Sequence, residues 1–142
     1  MSDPTAEELL ALTQRLLDSI AAGDWATYEE LCDPSLTAIE PESLGQSVEG
    51  MAFHHFYFRR GGAAGDHNTT LAAPHVRVMG DVAVVSYVRL NQRVDAEGRP
   101  HTAGSAETRV WQRRDGRWRH VHFHRSALGC QAASGSGRVT SS

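Results

Sequence analysis

The chain has 142 residues, 14 basic against 17 acidic side chains, 40% hydrophobic residues and two cysteines. These values are typical of one soluble globular domain. All 14 basic residues are arginines, which excludes a lysine Schiff base and a P-loop lysine. The net charge of −3, without a basic run, argues against nucleic acid as the main partner.

The N-terminus and the cysteines favour a cytoplasmic protein. Residues 1–8 are acidic and polar, unlike a signal peptide, and no segment approaches the roughly 20 apolar residues that cross a bilayer. Cys32 and Cys130 are too few for a disulfide framework and lack metal-ligand spacing. We therefore expect no membrane partner, metal or other cofactor, and we interpret Cys32 as a buried apolar residue within a helical pattern.

The first part of the chain predicts three helices and a short strand. Thr5 and Glu8 have the form of a capping box, and leucines then recur at helical spacing as far as Gly23. Asp24 can cap a second helix. The second helix is predicted at 25–31, the candidate strand at 36–39 and the third helix at 51–58.

From Thr69 onward the apolar period changes to two, which predicts consecutive antiparallel strands joined by hairpins, such as the one at Asp115-Gly116. The predicted strand centres are 76–78, 82–90, 106–111 and 118–123. Helices followed by a curved sheet that they cover make one α+β domain over residues 1–128. The glycine- and serine-rich residues 129–142 are expected to be a disordered tail.

Three arginines occupy unusual positions in this pattern. Strand alternation places Arg89, Arg109 and Arg125 beside bulky apolar neighbours such as Tyr87 and Trp111. Because their strands are adjacent, the three guanidinium groups would converge beneath the helices, where a buried cation needs a partner.

Two interpretations of these arginines are open, and they can coexist. In the first, each arginine pairs with a carboxylate of the protein. The candidate carboxylates are Glu40, Glu42 and Glu107. In the second, the arginines form a cationic pocket for a small carboxylate or another anion, which the planar guanidinium group suits.

The last predicted strand carries His120, His122 and His124 at alternate positions, which alternation places on one face. Two of them could reach one metal ion, but no cysteine or acidic residue has supporting spacing, so we predict no metal site. We interpret this face, with Trp118 at its end, as a surface buried between subunits.

Several segments are specific enough to carry a family resemblance. They include "CDPSLTAIEPESLG", "SYVRLNQRVDAEGRP" and "SAETRVWQRRDGRWRHVHFHRS". Together with their neighbours, over residues 8–127, they resemble the association, or hub, domain of calcium/calmodulin-dependent protein kinase II. The resemblance implies a nuclear transport factor 2-like cone, in which a long N-terminal helix lies in the hollow of a strongly bent antiparallel sheet. It also implies dimers stacked into two-tiered rings, commonly dodecamers or tetradecamers.

The same resemblance implies a cavity lined by arginines. The matching positions are Arg89, Arg109 and Arg125, and His54 of "FHHFYF" matches another position at that cavity. We add Tyr57, three residues later, as a candidate ligand-binding residue. The glycine-rich loop at 61–66 that ends the third helix is shorter than the family's loop.

The leading functional hypothesis is a stand-alone hub-like domain that forms a closed homo-oligomer, holds a small carboxylate and has no kinase activity of its own. The alternative is a cavity enzyme, an isomerase, dehydratase or cyclase that acts on a small organic acid. In that case the arginines would bind the substrate, and His54, Tyr57 or Glu40 would carry a proton. A third hypothesis is an adaptor ring that binds a protein partner in trans.

Overall fold

The computed structural model describes residues 3–58 and 67–132, with side chains described as far as Leu128. Within these ranges the chain forms three α-helices, a 3-10 turn and six strands. In chain order they are α1 (Pro4–Ala22), α2 (Trp25–Leu31), β1 (Cys32–Ile39), the 3-10 turn (Pro41–Ser43), β2 (Ser47–Glu49), α3 (Ala52–Phe58), β3 (His67–Met79), β4 (Val82–Val94), β5 (Pro100–Arg114) and β6 (Arg117–Ala132).

The N-cap of the long helix α1 lies two residues before the predicted one. Asp3 is the N-cap, and its carboxylate accepts a hydrogen bond from the Thr5 backbone N–H at 2.9 Å. A carboxylate at this position satisfies a free N–H group and complements the helix dipole, so Asp3 replaces Thr5 as the cap. The helix ends at Gly23, which has a φ of 69°. Its leucines, including the fully buried Leu9, pack against β3 and β4.

The two short helices contact each other through aromatic rings. Asp24 caps α2 as predicted, with its side chain accepting from the Thr27 N–H at 3.2 Å. Trp25 of α2 meets Phe58 of α3 edge to face, with ring centroids 5.1 Å apart. This aromatic contact holds α3 beside α2, where α3 forms part of the cavity wall.

The strands form one sheet in the order β2-β1-β6-β5-β4-β3. The predicted run of consecutive antiparallel strands is confirmed for β3 to β6. The chain departs from it at β1, which pairs in parallel with β6 and carries the short edge strand β2 on its other side. Three residues are too few to show an alternating pattern, so the sequence did not predict β2. The predicted α+β architecture, with helices in the hollow of an antiparallel sheet, is confirmed.

A β-bulge in β6 changes the face on which the histidines lie. His120 pairs with Trp111, but the next pair joins His122 to Val110, which leaves Val121 as an extra residue. An extra residue shifts the alternation by one position. His120 therefore lies on the inner face and is fully buried, whereas His122 lies on the outer face. The prediction that all three histidines share one face is wrong.

Further expectations concern Cys32, the C-terminal segment, the loop at 61–66 and membrane-spanning helices. Cys32 is buried as predicted, although it begins β1 instead of lying in a helix. β6 continues through Ala132, into the segment expected to be a disordered tail, and residues 133–142 lie outside the described part of the chain. The loop at 61–66 also lies outside it. Among the described residues, no helix is long and apolar enough to span a bilayer.

Candidate ligand cavity

A cavity of about 300 Å³ lies in the hollow, bounded by the three helices, the 3-10 turn and strands β4, β5 and β6. All five residues predicted to bind a ligand line it, namely Arg89, Arg109, Arg125, His54 and Tyr57. Two of the candidate carboxylates, Glu40 and Glu42, line it as well. The third, Glu107, lies behind the wall, on the same face of β5 as Arg109.

Glu107 is the centre of a buried polar cluster. Its Oε1 accepts from the Tyr87 hydroxyl at 2.7 Å and from Arg109 Nη2 at 2.9 Å. Its Oε2 accepts from Ser105 Oγ at 2.8 Å and from Arg89 Nη1 at 3.4 Å. Burial acts to raise the pKa of Glu107, but the two arginines and the two hydroxyl donors outweigh it and lower the pKa to about 2. Glu107 is therefore ionised at neutral pH.

Arg109 is 1% exposed and all three of its nitrogens have partners within the protein. Nε donates to the Tyr87 hydroxyl at 2.8 Å, Nη2 donates to Glu107, and Nη1 lies 3.3 Å from His120 Nε2. The guanidinium carbon also lies 4.4 Å from the centroid of the Phe123 ring. Burial acts to lower the pKa of Arg109, but the oxygens of Tyr87 and Glu107 raise it above its ordinary value. Arg109 is a charged anchor within the core.

His120 extends this cluster to β1. Because an arginine can only donate, His120 Nε2 accepts from Arg109, and the ring proton lies on Nδ1. Nδ1 then faces the Cys32 sulfur at 3.4 Å. Burial, followed by the charge of Arg109, holds the pKa of His120 well below its usual range, so the ring is neutral. We refer to Arg109, Glu107, Tyr87 and His120 as the inner cluster.

The inner cluster corrects the predicted interface. His120 and Trp118 are buried within a single subunit, because the bulge turns both toward the hollow, so neither is available to a second subunit. His122 is half-buried and lies with Nδ1 at 2.6 Å from the Thr37 hydroxyl, and His124 is exposed. Of the four predicted interface residues, the outer face retains these two histidines.

A second, more exposed group of charges lies next to the inner cluster, since Arg125 is the cross-strand partner of Glu107. Arg125 forms a hydrogen-bonded ion pair with Glu42 through Nη2, and its Nε lies 3.9 Å from Glu40 Oε2. The side chains of Arg125 and Glu42 are 20% and 38% exposed. Burial and the neighbouring Glu42 raise the pKa of Glu40, against the attraction of Arg125. We refer to Arg125, Glu40 and Glu42 as the outer cluster.

Two side chains between the clusters keep polar atoms without a partner. Among the described residues, Arg89 Nε and His54 Nε2 are buried and form no hydrogen bond. Burial lowers the pKa of Arg89, although Glu107 opposes this. Burial and the charge of Arg109 lower the pKa of His54 to about 4, so it is neutral at pH 7 and its 3.9 Å contact with Glu40 is not an ion pair. These atoms offer hydrogen bonds that the protein leaves unused.

The three arginines thus pair with the carboxylates that the first interpretation named. Sequence reasoning missed Tyr87, Ser105 and His120 as partners. For Tyr87 the signal was available, because alternation already placed it beside Arg89. For His120 it was hidden by the bulge. Within the described residues, no three His, Cys, Asp or Glu side chains lie close enough together to hold a metal ion.

Comparison with known proteins identifies the architecture. The model of the calcium/calmodulin dependent protein kinase II association domain matches residues 5–129. The chain belongs to this family. It is 47% identical over 129 residues to the calcium/calmodulin-dependent protein kinase type II alpha chain of Drosophila melanogaster, a match that covers 89% of this chain and 24% of that protein. This association domain thus spans about a quarter of the length of its curated relative.

Solved structures agree with the family. The association domain of C. elegans CaMKII is 46% identical, with a TM-score of 0.81 over 86% of this chain and 95% of that one. The CaMKII hub homology domain of Chlamydomonas reinhardtii is 48% identical, with a TM-score of 0.81 over 88% and 99%. A nuclear transport factor 2-like protein from Salmonella enterica, 24% identical, matches with a TM-score of 0.69 over 93% and 96%. The fold is therefore nuclear transport factor 2-like, as the resemblance implied.

Proposed function

We propose that this association domain assembles into a closed homo-oligomeric ring of stacked dimers and has no kinase activity of its own. Family membership and the similarity to solved hub domains support an association role. The outer face of the sheet provides the structural support for the proposal. A row of cross-strand partners, Val84, Val110, His122 and Thr37, crosses four strands on the outer face and is only half-buried in one subunit. Burial of such a face by a second copy would remove apolar surface from water.

Native mass spectrometry of the whole chain tests the ring. We expect dodecamers or tetradecamers at micromolar concentration, and a monomer or an isolated dimer as the only species would contradict the proposal. Val110→Glu places a charge in the centre of the row and should reduce the subunit number. Val94→Glu, at an exposed position near the end of β4, is the matched control and should leave the ring intact.

We also propose that the cavity binds a small carboxylate. Two of the arginines that line the cavity support this, because Arg125 is partly exposed and the buried Nε of Arg89 has no hydrogen-bond partner in the described part of the protein. Benzoate is a suitable probe, since the lining combines these cations with the rings of Tyr28, Phe58 and Phe123.

Isothermal titration calorimetry with benzoate, and with the neutral benzamide as control, tests this site. We expect Arg125→Gln to weaken benzoate binding at least tenfold, because a charge-assisted hydrogen bond is lost. Arg113→Gln, which removes a charge from the exposed end of β5, should bind as the wild type does. Equal binding of benzamide, or no binding of benzoate, would refute the carboxylate site.

The alternative, a cavity enzyme, has one observation in its favour. Glu40 lies at the cavity with a pKa raised by burial, and the neutral His54 lies beside it. A carboxyl group with a raised pKa next to a neutral imidazole is suited to proton transfer. Turnover of an acid that binds the cavity would support this function. In that case Glu40→Gln should abolish turnover while binding persists, whereas binding without turnover supports the hub.

A further inference from the structure

The charges around the cavity balance within the protein itself. Arg89, Arg109 and Arg125 supply three positive charges, and Glu107, Glu40 and Glu42 are the carboxylates that pair with them. His54 contributes no charge at pH 7, because burial and Arg109 lower its pKa to about 4. An additional anion in this space is therefore an excess negative charge unless one of the three carboxylates moves away or takes up a proton.

The three carboxylates differ in how easily they can leave. Glu107 is 0% exposed and receives four hydrogen bonds, so its release would strand Arg109 in the core. The Glu40 side chain is 8% exposed and lies in the wall. Glu42 is 38% exposed and is held by a single partner, Arg125, so its carboxylate can turn into water at little cost.

The local backbone permits this movement. The 3-10 turn is held by the Ser43 hydroxyl, which donates to the Glu40 carbonyl oxygen at 2.8 Å and accepts from the Glu40 N–H at 3.2 Å. The Ser43 amide also donates to the Glu40 carbonyl oxygen, at 3.1 Å. None of these bonds involves the Glu42 side chain. The Glu42 carboxylate can therefore leave Arg125 while the turn keeps its shape.

We propose that Glu42 is a built-in competitor for the cavity: its carboxylate occupies the ligand's place on Arg125, and a ligand carboxylate binds by displacing it. This inference rests on the proposed carboxylate site. The exchange keeps the charge balance, since one carboxylate replaces another on the same guanidinium group. It also moves the negative charge of Glu42 away from Glu40. That charge is one cause of the raised pKa of Glu40.

Benzoate titrations of three variants test the competition. Glu42→Gln should bind benzoate about two- to fivefold more tightly than the wild type, because an exposed ion pair no longer has to be broken. Glu42→Asp keeps the charge but shortens the side chain by one methylene, so it reaches Arg125 less well and should also bind more tightly. Glu49→Gln removes an exposed charge from β2, outside the cavity lining, and should bind as the wild type does.

The outcomes separate this inference from the carboxylate site itself. If Glu42→Asp binds as the wild type does while Glu42→Gln binds more tightly, Glu42 acts only through its charge, and displacement is refuted. Unchanged or weaker binding in Glu42→Gln, with binding still weakened at least tenfold in Arg125→Gln, also refutes it while the site stands. Absence of benzoate binding in the wild type and in every Glu42 variant refutes both.

Discussion

The inner and outer clusters use the same pair of residue types with opposite results. Arg109 and Glu107 are enclosed, with side chains 1% and 0% exposed, and every nitrogen of the arginine is engaged. Arg125 and Glu42 share one ion pair at a partly exposed position. The inner pair is enclosed and each nitrogen of its arginine has a partner in the protein, whereas the outer pair is partly exposed and is proposed to exchange its partner. Exposure and local partners, and not the residue type alone, thus distinguish an arginine that can meet a ligand from one that stabilises the core.

The dielectric environment explains why the two pairs differ in strength. Removing two charges from water is costly, and the inner cluster offsets that cost only through its complete set of hydrogen bonds. Loss of one member leaves a buried charge without compensation. At the outer cluster water screens the charges, and such pairs are worth roughly 0 to 1 kcal/mol. Single substitutions can therefore measure how far the two clusters differ.

The largest effect is expected at the inner cluster. Glu107→Gln leaves Arg109 buried without a counter-charge and should destabilise the fold by about 3–5 kcal/mol. Urea denaturation at a fixed subunit concentration measures this, since assembly contributes to apparent stability. Glu49→Gln, an exposed substitution, is the control and should change stability by less than about 0.5 kcal/mol. A loss below about 1 kcal/mol for Glu107→Gln would mean that the two clusters do not differ as described.

A second substitution tests whether the inner cluster depends on charge or on volume. The double variant Glu107→Leu with Arg109→Met removes both charges together but leaves Arg89 without its carboxylate partner, so it should recover only part of the stability lost in Glu107→Gln. If the double variant is less stable than the single one, packing around Tyr87 and Phe123 matters more than the ion pair.

The sequence predicts the placement of the arginines well and their partners poorly. Strand alternation is regular in β4 and β5, so Arg89 and Arg109 lie on the inner face as predicted. On β6 the alternation fails at Val121, because nothing in the local sequence marks the bulge, and His120 was therefore assigned to the wrong face.

The pairing of Glu40 and Glu42 with Arg125 could not be predicted from the sequence. Glu40 and Glu42 lie far from Arg125 in the chain and meet it only because β1 crosses over to pair with β6. Glu107 could have been assigned, because it lies two residues from Arg109 on the same strand face. An ion pair between two residues on one face of the same strand can be predicted from the sequence. An ion pair between residues that are brought together only by the order of the strands cannot.

The second-largest effect is expected to be a loss of stability in acid, which starts with the protonation of the buried histidines. In the unfolded chain His54 takes up a proton below about pH 6.5, whereas burial and Arg109 lower its pKa to about 4 in the folded protein. Its stabilising contribution is therefore complete above pH 6.5 and is lost as the pH falls from 6.5 toward 4, by on the order of 3 kcal/mol. His120 acts in the same direction. Glu107 contributes at lower pH, from about 4.5 to about 2.

Urea denaturation between pH 7 and pH 4 measures this dependence. His54→Asn removes one titrating group, so its stability should fall less steeply than that of the wild type across this range. His75→Asn, which alters an exposed histidine of β3, should keep the wild-type slope. Identical slopes for the wild type and His54→Asn would show that the His54 ring is not shielded from water as its position indicates.

The smallest effect is expected at the outer cluster, and there binding and stability should separate. Glu42→Gln should change the free energy of unfolding by less than about 1 kcal/mol, because the pair with Arg125 is partly exposed and the 3-10 turn is held by Ser43 instead. The same variant is expected to bind benzoate more tightly, so one substitution leaves stability nearly constant and raises affinity. At the inner cluster no substitution should do this, since Arg109 already has a partner at each nitrogen. A large loss of stability in Glu42→Gln would show that the ion pair between Arg125 and Glu42 stabilises the fold as the inner pair does. Among the three cavity arginines, Arg89, with its unpaired Nε, would then be the candidate for binding a ligand.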